Sequence, residues 1–95
     1  MARNFKISVR RNSEDLHLKL VGDFDGISAY ELLSVLKRNC NPNSKVFIHT
    51  SALREVHPFG VNVFHKNLSV LKGKSIQLIF TGENANKIEP ESFTL

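Results

Sequence analysis

Hydrophobic and polar residues alternate in two segments near the start of the chain. The apolar positions of these segments are Phe5, Ile7 and Val9, then Leu16, Leu18 and Leu20. Successive strand residues point to opposite faces, so a period of two predicts two strands that each bury one face. The polar stretch 11–15 between them is short enough for a hairpin loop, which predicts an antiparallel pair.

The apolar period changes to three and four residues in the next segment, which predicts an amphipathic helix. Its apolar positions are Ala29, Leu32, Leu33, Leu36 and Cys40. Ser28 and Glu31 have the spacing of a capping box, and we expect the helix to begin there. The stretch 41–43, which contains a proline, ends it. Cys40 lies on the apolar stripe, so we expect a small buried side chain rather than a reactive thiol.

The rest of the chain predicts two more strands with a helix between them. The apolar runs 46–48 and 76–80 are typical of strands covered on both faces, as in parallel pairing. The helix has its apolar positions at Val61, Phe64, Leu68 and Leu71. Pro58 suits the first residue of this helix, and Gly73 suits its end. The segment 84–88 predicts a short terminal turn of helix.

This order, β-β-α-β-α-β, predicts an α/β fold. Right-handed crossovers would build a four-stranded mixed sheet with two main helices on one face. The 95 residues fit one domain. We expect a core at about 5–88 and a polar tail at 89–95.

Composition excludes several classes of protein. The chain is 41% hydrophobic and 23% charged, as soluble globular domains are. A single cysteine excludes an internal disulfide framework and a multi-thiolate zinc site. We find no apolar run of membrane-spanning length and no secretory signal, so we expect a cytoplasmic protein without membrane insertion.

The formal charge of +4 raises the question of nucleic-acid binding. Basic residues occur as separate pairs near the ends of predicted elements, where they suit helix dipoles and solvent. No exposed aromatic residues are interleaved with them in the sequence. We therefore expect no nucleic-acid partner, and binding through these basic ends is kept as an alternative.

Candidate chemistry lies in the two loops 22–26 and 49–60, which follow predicted strands. Ligands and partners of parallel α/β units usually meet such loops, where helix N-termini also point. Folding would bring Asp25, His49 and His57 to one edge. These side chains suit a zinc site or an Asp–His general base, which makes an enzyme the second hypothesis. No local catalytic or metal motif accompanies them, so we expect no catalysis, metal or cofactor.

At these two loops the sequence resembles the STAS domain, the family of anti-sigma factor antagonists and sulfate-transporter-associated modules. Residues 22–25, Gly-Asp-Phe-Asp, resemble the family's Gly-Glu-Leu-Asp signature after the second strand. Residues 49–60 resemble its Asp-Leu-Ser-x-Val-x-x-Ile-Asp-Ser-Ser-Gly segment, and the matching positions are Ser51, Leu53, Val56 and Gly60. The resemblance spans about residues 5–88 and implies the same order of elements.

The departures from the family concern its phosphorylation site. The family's phosphorylated serine falls on Pro58, which has no hydroxyl to accept a phosphoryl group, and its neighbour falls on Phe59. We therefore expect no phosphorylation at Pro58 and no phosphate switch at that helix start. Two family aspartates fall on His49 and His57, while Asp25 is retained.

The sequence thus favours a non-catalytic STAS-like interaction module, regulatory in the manner of an anti-sigma factor antagonist but without the phosphorylatable serine. An accessory subunit of a transporter complex is the alternative. The resemblance implies a protein partner, namely an anti-sigma or kinase-like regulator or a transporter subunit, and a homodimer is a further option. Gly60 should matter because a side chain there would push the second helix from the sheet. The candidate contact residues are Asp25, His49, Ser51, His57, Pro58, Phe59, Gly60 and Asn62.

Overall fold

The computed structural model describes residues 4–12, 15–39, 45–71 and 76–89. The predictions made for Cys40, for 41–43, for Gly73 and for the tail beyond Glu89 lie outside the described residues. The elements are β1 Lys6–Asn12, β2 Asp15–Phe24, α1 Gly26–Asn39, β3 Lys45–His49, β4 Leu53–Val56, α2 Pro58–Asn67, β5 Gln77–Thr81 and α3 Ala85–Ile88, with a 3₁₀ turn at Leu68–Leu71. No helix in these ranges is long and apolar enough to cross a bilayer.

One mixed sheet contains all five described strands, in the order β1-β2-β3-β5 with β4 also bonded to β2. β1 is antiparallel to β2, while β3 and β4 pair with β2 in parallel and β5 pairs with β3 in parallel. The first half of β2 pairs with β3, and its last residues pair with β4 after a register shift between Gly22 and Asp23. The predicted α/β class and mixed sheet are confirmed.

The predicted count of four strands is corrected to five. Residues 22–24 and 53–56 were both assigned to loops, but they pair with each other as the end of β2 and as β4. Neither segment has a clear alternation of apolar and polar residues, and the pairing joins positions about thirty residues apart. A local pattern carries no signal for such a contact.

The core lies between the sheet and the two long helices. Leu16, Leu18 and Leu20 of β2 face it, and each is at most 1% exposed. Phe24 and Phe64 join the layers, because their rings meet edge to face with centroids 6.2 Å apart. Further buried side chains come from α1, β3 and β5, among them Leu32, Leu36, Val46, Ile48 and Phe80. The alternation through Leu16, Leu18 and Leu20 therefore marks the buried face of β2 correctly. In β1 the prediction fails at Val9, which is 49% exposed.

The helices differ from prediction at two ends. α1 begins at Gly26, with Asp25 in the capping position, so the predicted capping box of Ser28 and Glu31 is wrong. α2 begins at Pro58 as predicted, but the regular helix ends at Asn67 and continues as the 3₁₀ turn. In a 3₁₀ turn, residues three apart lie above one another, which keeps both Leu68 and Leu71 buried.

The sheet surface directed away from α1 and α2 is called the open face below. The polar residues that alternate with the apolar ones in β1 and β2 lie on this face. They are opposite one another in the register, and directly opposed residues share a face. Half-buried side chains from the central strands continue it. The residues of the open face used below are Ser8, Arg10, Asn12, His17, Lys19, Phe47, His49 and Thr81.

Candidate functional site

Two strands end and two helices begin at one edge of the sheet. β2 ends at Phe24 and α1 begins at Gly26, while β4 ends at Val56 and α2 begins at Pro58. The two strands are parallel neighbours, and the His57 amide donates to the Phe24 carbonyl at 2.9 Å. Both helix starts therefore lie side by side, at the edge where parallel units usually meet their ligands and partners.

Gly60 sets the close approach of the two helix starts. A Cβ at Gly60 would lie 2.7 Å from both the carbonyl carbon and the carbonyl oxygen of Asp25. The sequence predicted that a side chain here would push α2 from the sheet. The structure shows that the nearest obstacle is the backbone at the start of α1.

Asp25 caps α1 from this edge. Its Oδ1 accepts the Ser28 amide at 2.9 Å, and the buried Ser28 hydroxyl donates both to Oδ1 and to the Asp23 carbonyl. Burial opposes the charged form of Asp25. The hydrogen bonds from Ser28 outweigh burial and lower the pKa of the carboxyl below its usual value. Asp25, which matches the aspartate of the STAS signature, thus has a structural role here as a helix cap.

Replacing Asp25 by alanine should cost about 1 kcal/mol of unfolding free energy, because the α1 amides lose their cap. Asp25→Asn should retain most of that stability, since an asparagine oxygen also accepts the Ser28 amide. The carboxyl has a lowered pKa in the folded state, so its contribution is present above about pH 4 and disappears as the pH falls further. Urea unfolding at pH 7 and at pH 3 measures both effects. Equal loss in the alanine and asparagine variants at pH 7 would contradict the capping role.

An exposed apolar patch lies across the two helix starts. Phe59, in the first turn of α2, is 71% exposed, and Ile27 and Tyr30 of α1 are 47% and 57% exposed. The Phe59 ring lies over Gly26, where an added Cβ would meet its Cε2 at 2.9 Å. Gly26 and Tyr30 are four residues apart on α1 and share a helix face. Ile27, Tyr30 and Phe59 are called the helix-start patch.

The patch adjoins a hollow between β1 and α1. This hollow has a volume of about 690 Å³, and Ile27 and Tyr30 line it together with Ile7 and Val35. Glu31, Ser34, Lys37 and Arg38 complete its lining. Exposed apolar side chains with polar residues around them are typical of protein contact sites. Lone surface apolar residues are common in soluble proteins, but here two of them, Ile27 and Tyr30, line one hollow, and the Phe59 ring lies over Gly26 at the start of the same helix.

The other predicted contact residues divide between two places. His57, Pro58 and Asn62 are exposed at or near the start of α2, next to Phe59 in sequence. Ser51 is exposed in the turn after β3. His49 lies on the open face, where its ring nitrogens contact two other side chains, so it does not join the helix-start patch.

Thr50, beside Ser51, is a structural residue. Its side chain is fully buried, and its hydroxyl donates to the Thr81 carbonyl at 2.6 Å. The side-chain amide of Asn84 also donates, from Nδ2, to the Thr50 carbonyl at 3.1 Å. These bonds tie the end of β3 to the end of β5 and to the start of α3.

A charged cluster near His57 was missed in the sequence. Arg54 donates from Nε to Asp23 Oδ1 at 2.9 Å and from Nη2 to Oδ2 at 2.7 Å. These bonds lower the pKa of Asp23. His57 Nε2 lies 3.4 Å from Glu55 Oε2. The cluster forms because β4 pairs with β2. Since the sequence analysis assigned residues 53–56 to a loop, it did not predict this cluster.

Potential metal ligands at this edge differ from the predicted set. Among the described residues, Asp23, Glu55 and His57 have ligand atoms within 4.8 Å of one another. Only His57 of the predicted trio belongs to this group. Arg54 already occupies both Asp23 oxygens and brings a positive charge to the cluster. Asp23 is therefore held in an ion pair with Arg54.

On the open face, hydrogen bonds link His17, His49 and the Thr81 hydroxyl in a row. His17 Nδ1 lies 3.0 Å from His49 Nε2, and His49 Nδ1 lies 2.7 Å from the Thr81 hydroxyl. The His17 ring also stacks on Phe47 with a centroid distance of 4.7 Å. Burial, followed by the charge of the nearby His17, lowers the pKa of His49.

The lowered pKa of His49 predicts a loss of stability in mild acid. Unfolding raises this pKa towards its ordinary value of about 6.5, so below that pH the unfolded chain binds the extra proton and gains population. The wild-type unfolding free energy should therefore fall between pH 7.5 and pH 5.5, and His49→Gln should lose less over that interval. Urea titrations of both proteins test this, with the exposed-site variant His57→Gln as control. An identical pH dependence in wild type and His49→Gln would refute the assignment.

Comparison with known proteins identifies the fold. No family model and no curated protein matches the chain. A crystal structure of Mglu matches with a TM-score of 0.65 and 15% identity, over 90% of this chain and 20% of that one. Mglu in its native form matches with a TM-score of 0.59 and 10% identity, over 79% of this chain and 23% of that one. The chain thus spans about a fifth of the length of these two structures.

A third structure gives the fold a name. An uncharacterized protein of the DUF3478 family from Shewanella loihica PV-4, described as having a SpoIIAA-like fold, matches with a TM-score of 0.54. The identity is 20%, over 83% of this chain and 69% of that one. This protein is therefore a mixed α/β domain with a SpoIIAA-like fold. The fold implied by the resemblance to STAS domains is confirmed.

Proposed function

We propose that this protein is a non-catalytic interaction domain that docks a partner protein on the helix-start patch. The observation that carries the proposal is the 71% exposure of Phe59 in the first turn of a helix. Burying an aromatic side chain on binding removes a large apolar surface from water. Aromatic anchors of this kind supply much of the energy of protein interfaces.

The position of Phe59 favours rigid docking. Its backbone belongs to α2, and the close contact of Gly60 with Asp25 fixes α2 against the start of α1. An anchor on a fixed helix loses little conformational entropy on binding. The hollow beside Ile27 and Tyr30 extends the surface, and its mixed apolar and charged lining suits an amphipathic face of the partner.

The proposed contact does not depend on phosphorylation at the helix start. Pro58 occupies the first position of α2 and has no hydroxyl, and His57 makes no side-chain cap there. An anti-sigma or kinase-like regulator, or a transporter subunit, remains the partner class that the STAS resemblance suggests. The proposed domain binds such a partner through apolar contact that is constitutively available.

Affinity capture from the native cell tests the proposal, with wild type and Phe59→Asp compared by quantitative mass spectrometry. Gln77→Asp is the control, because it introduces the same charge change at an exposed residue at the opposite end of the strands. A protein retained by wild type and Gln77→Asp but lost from Phe59→Asp, and then reconstituted from purified components, supports the proposal. Equal retention by all three proteins, or turnover of a substrate by the purified domain, would refute it.

A further inference from the structure

The open face gathers polar side chains in two rows across three strands. The register places Ser8 opposite Lys19, and Lys19 opposite His49. Arg10 lies opposite His17 in the next row, two residues along the strands. Neighbouring strands are about 4.8 Å apart and alternate residues about 7 Å apart, so the two rows fit around one small ligand.

These rows surround a hollow of about 440 Å³, which is lined by Ser8, Arg10, Asn12, His17, Lys19 and His49. Its volume lies in the range of small-molecule sites. The described residues that line it include two basic side chains and no carboxylate. Among the described residues of this strand pair, the acid Asp15 lies opposite Asn12 at one end.

The donors around the hollow match a tetrahedral anion. Arg10 offers a planar guanidinium, Lys19 an ammonium group, Ser8 a hydroxyl and Asn12 an amide. Charge-assisted hydrogen bonds from such groups to phosphate oxygens are among the strongest that proteins make. An apolar ligand would leave these groups without compensation for lost water.

The hydrogen-bonded pair of His17 and His49 supplies a further donor in one of its two tautomeric arrangements. When the Thr81 hydroxyl donates to His49 Nδ1, His49 Nε2 donates to His17 Nδ1, and His17 keeps its proton on Nε2. An anion in the hollow favours this arrangement over the reverse one, because the reverse leaves a lone pair on Nε2. Stacking on Phe47 holds the His17 ring in place.

We propose that the open face binds a phosphate group, either as inorganic phosphate or as a small phosphomonoester, between Arg10, Lys19 and His17. This site lies on the side of the sheet away from the helices and is independent of the helix-start patch. Within the proposed site, Arg10 and Lys19 neutralise the dianion, while Ser8, Asn12 and His17 orient its oxygens.

Titration of the ¹⁵N-labelled protein with inorganic phosphate and with glycerol 3-phosphate tests the site by NMR. The proposal expects saturable shifts at residues 8–12, 17–19 and 49, with a dissociation constant of about 1 mM or tighter for at least one probe. Tighter binding of glycerol 3-phosphate identifies a phosphomonoester as the ligand, and equal binding identifies the phosphate group alone. Sodium sulfate and sodium chloride at matched ionic strength measure non-specific anion effects.

Arg10→Gln and Lys19→Gln should each weaken phosphate binding about tenfold, as expected for the loss of one charge-assisted contact. Lys66→Gln removes an exposed lysine from α2 and should leave binding unchanged. Shifts that fail to saturate, or equal weakening by all three variants, would overturn the proposal. So would a single-stranded oligonucleotide that binds more tightly as its length increases, because that result identifies a strand track instead of a small-anion site.

Discussion

Phe59→Asp should weaken binding of the partner by about 100-fold or more, which corresponds to about 2.7 kcal/mol. The wild-type ring is 71% exposed in the free protein and would become buried on docking. An aspartate in its place would put a charge into an apolar contact without an opposite charge. Isothermal titration calorimetry with the purified partner measures the change.

The same substitution should leave the fold intact. Phe59 contributes little to the core, and a negative charge in the first turn of α2 interacts favourably with the helix dipole. The unfolding free energy should therefore stay within about 0.5 kcal/mol of wild type. Phe59→Leu should recover part of the affinity, and Gln77→Asp should bind as wild type does. Comparable affinities for wild type and Phe59→Asp would exclude the ring as the anchor.

Gly60→Ala should destabilise the domain by about 2 to 3 kcal/mol, because the added methyl group overlaps a backbone that has no room to yield. The methyl carbon would lie 2.7 Å from the Asp25 carbonyl oxygen and 2.9 Å from the Asp25 Cα. Separation of α1 from α2 is the available relief, and it would disturb the core around Phe64. Urea unfolding of the variant measures the loss.

Gly26→Ala is the matched control for this prediction. Its methyl group would approach the Phe59 ring, with Cε2 at 2.9 Å and Cδ2 at 3.1 Å. That ring is exposed and can rotate away, so the change in unfolding free energy should stay within about 0.5 kcal/mol. A loss below about 0.5 kcal/mol in Gly60→Ala as well would show that the two helix starts are free to separate.

The sequence predicted the parts of the fold that depend on local periodicity. The alternation through Leu16, Leu18 and Leu20 identified β2 and its buried side. The three- and four-residue spacing identified α1, and Pro58 marked the start of α2. Each signal comes from residues within a few positions of one another, where backbone geometry determines the pattern.

Pairings between distant segments escaped prediction. The four residues of β4 show no alternation of apolar and polar positions, so the sequence did not predict a strand there. They form a strand because they pair with the end of β2. The Asp23–Arg54 ion pair depends on the pairing of β2 with β4, so it was not predicted either. Parallel register also decided the place of His49, which the loop assignment put beside Asp25 and the structure puts beside His17.

The start of α1 also depends on contacts that the capping-box spacing does not reveal. Ser28 and Glu31 have the capping-box spacing, but the Ser28 amide donates to Asp25, which lies directly after β2 and caps the helix instead. Ser28 then turns inward and bonds the Asp23 carbonyl at 2.7 Å. The exposure of Phe59 likewise depends on how α2 packs on α1, which a single sequence does not specify.

Amide hydrogen exchange of the domain, with and without its captured partner, is the most direct measurement of where docking occurs. Our account predicts slower exchange in the first turns of both helices, at residues 27–32 and 60–64, with little change at residues 8–12 and 45–49. Slower exchange confined to the strands of the open face, with both helix starts unaffected, would contradict it.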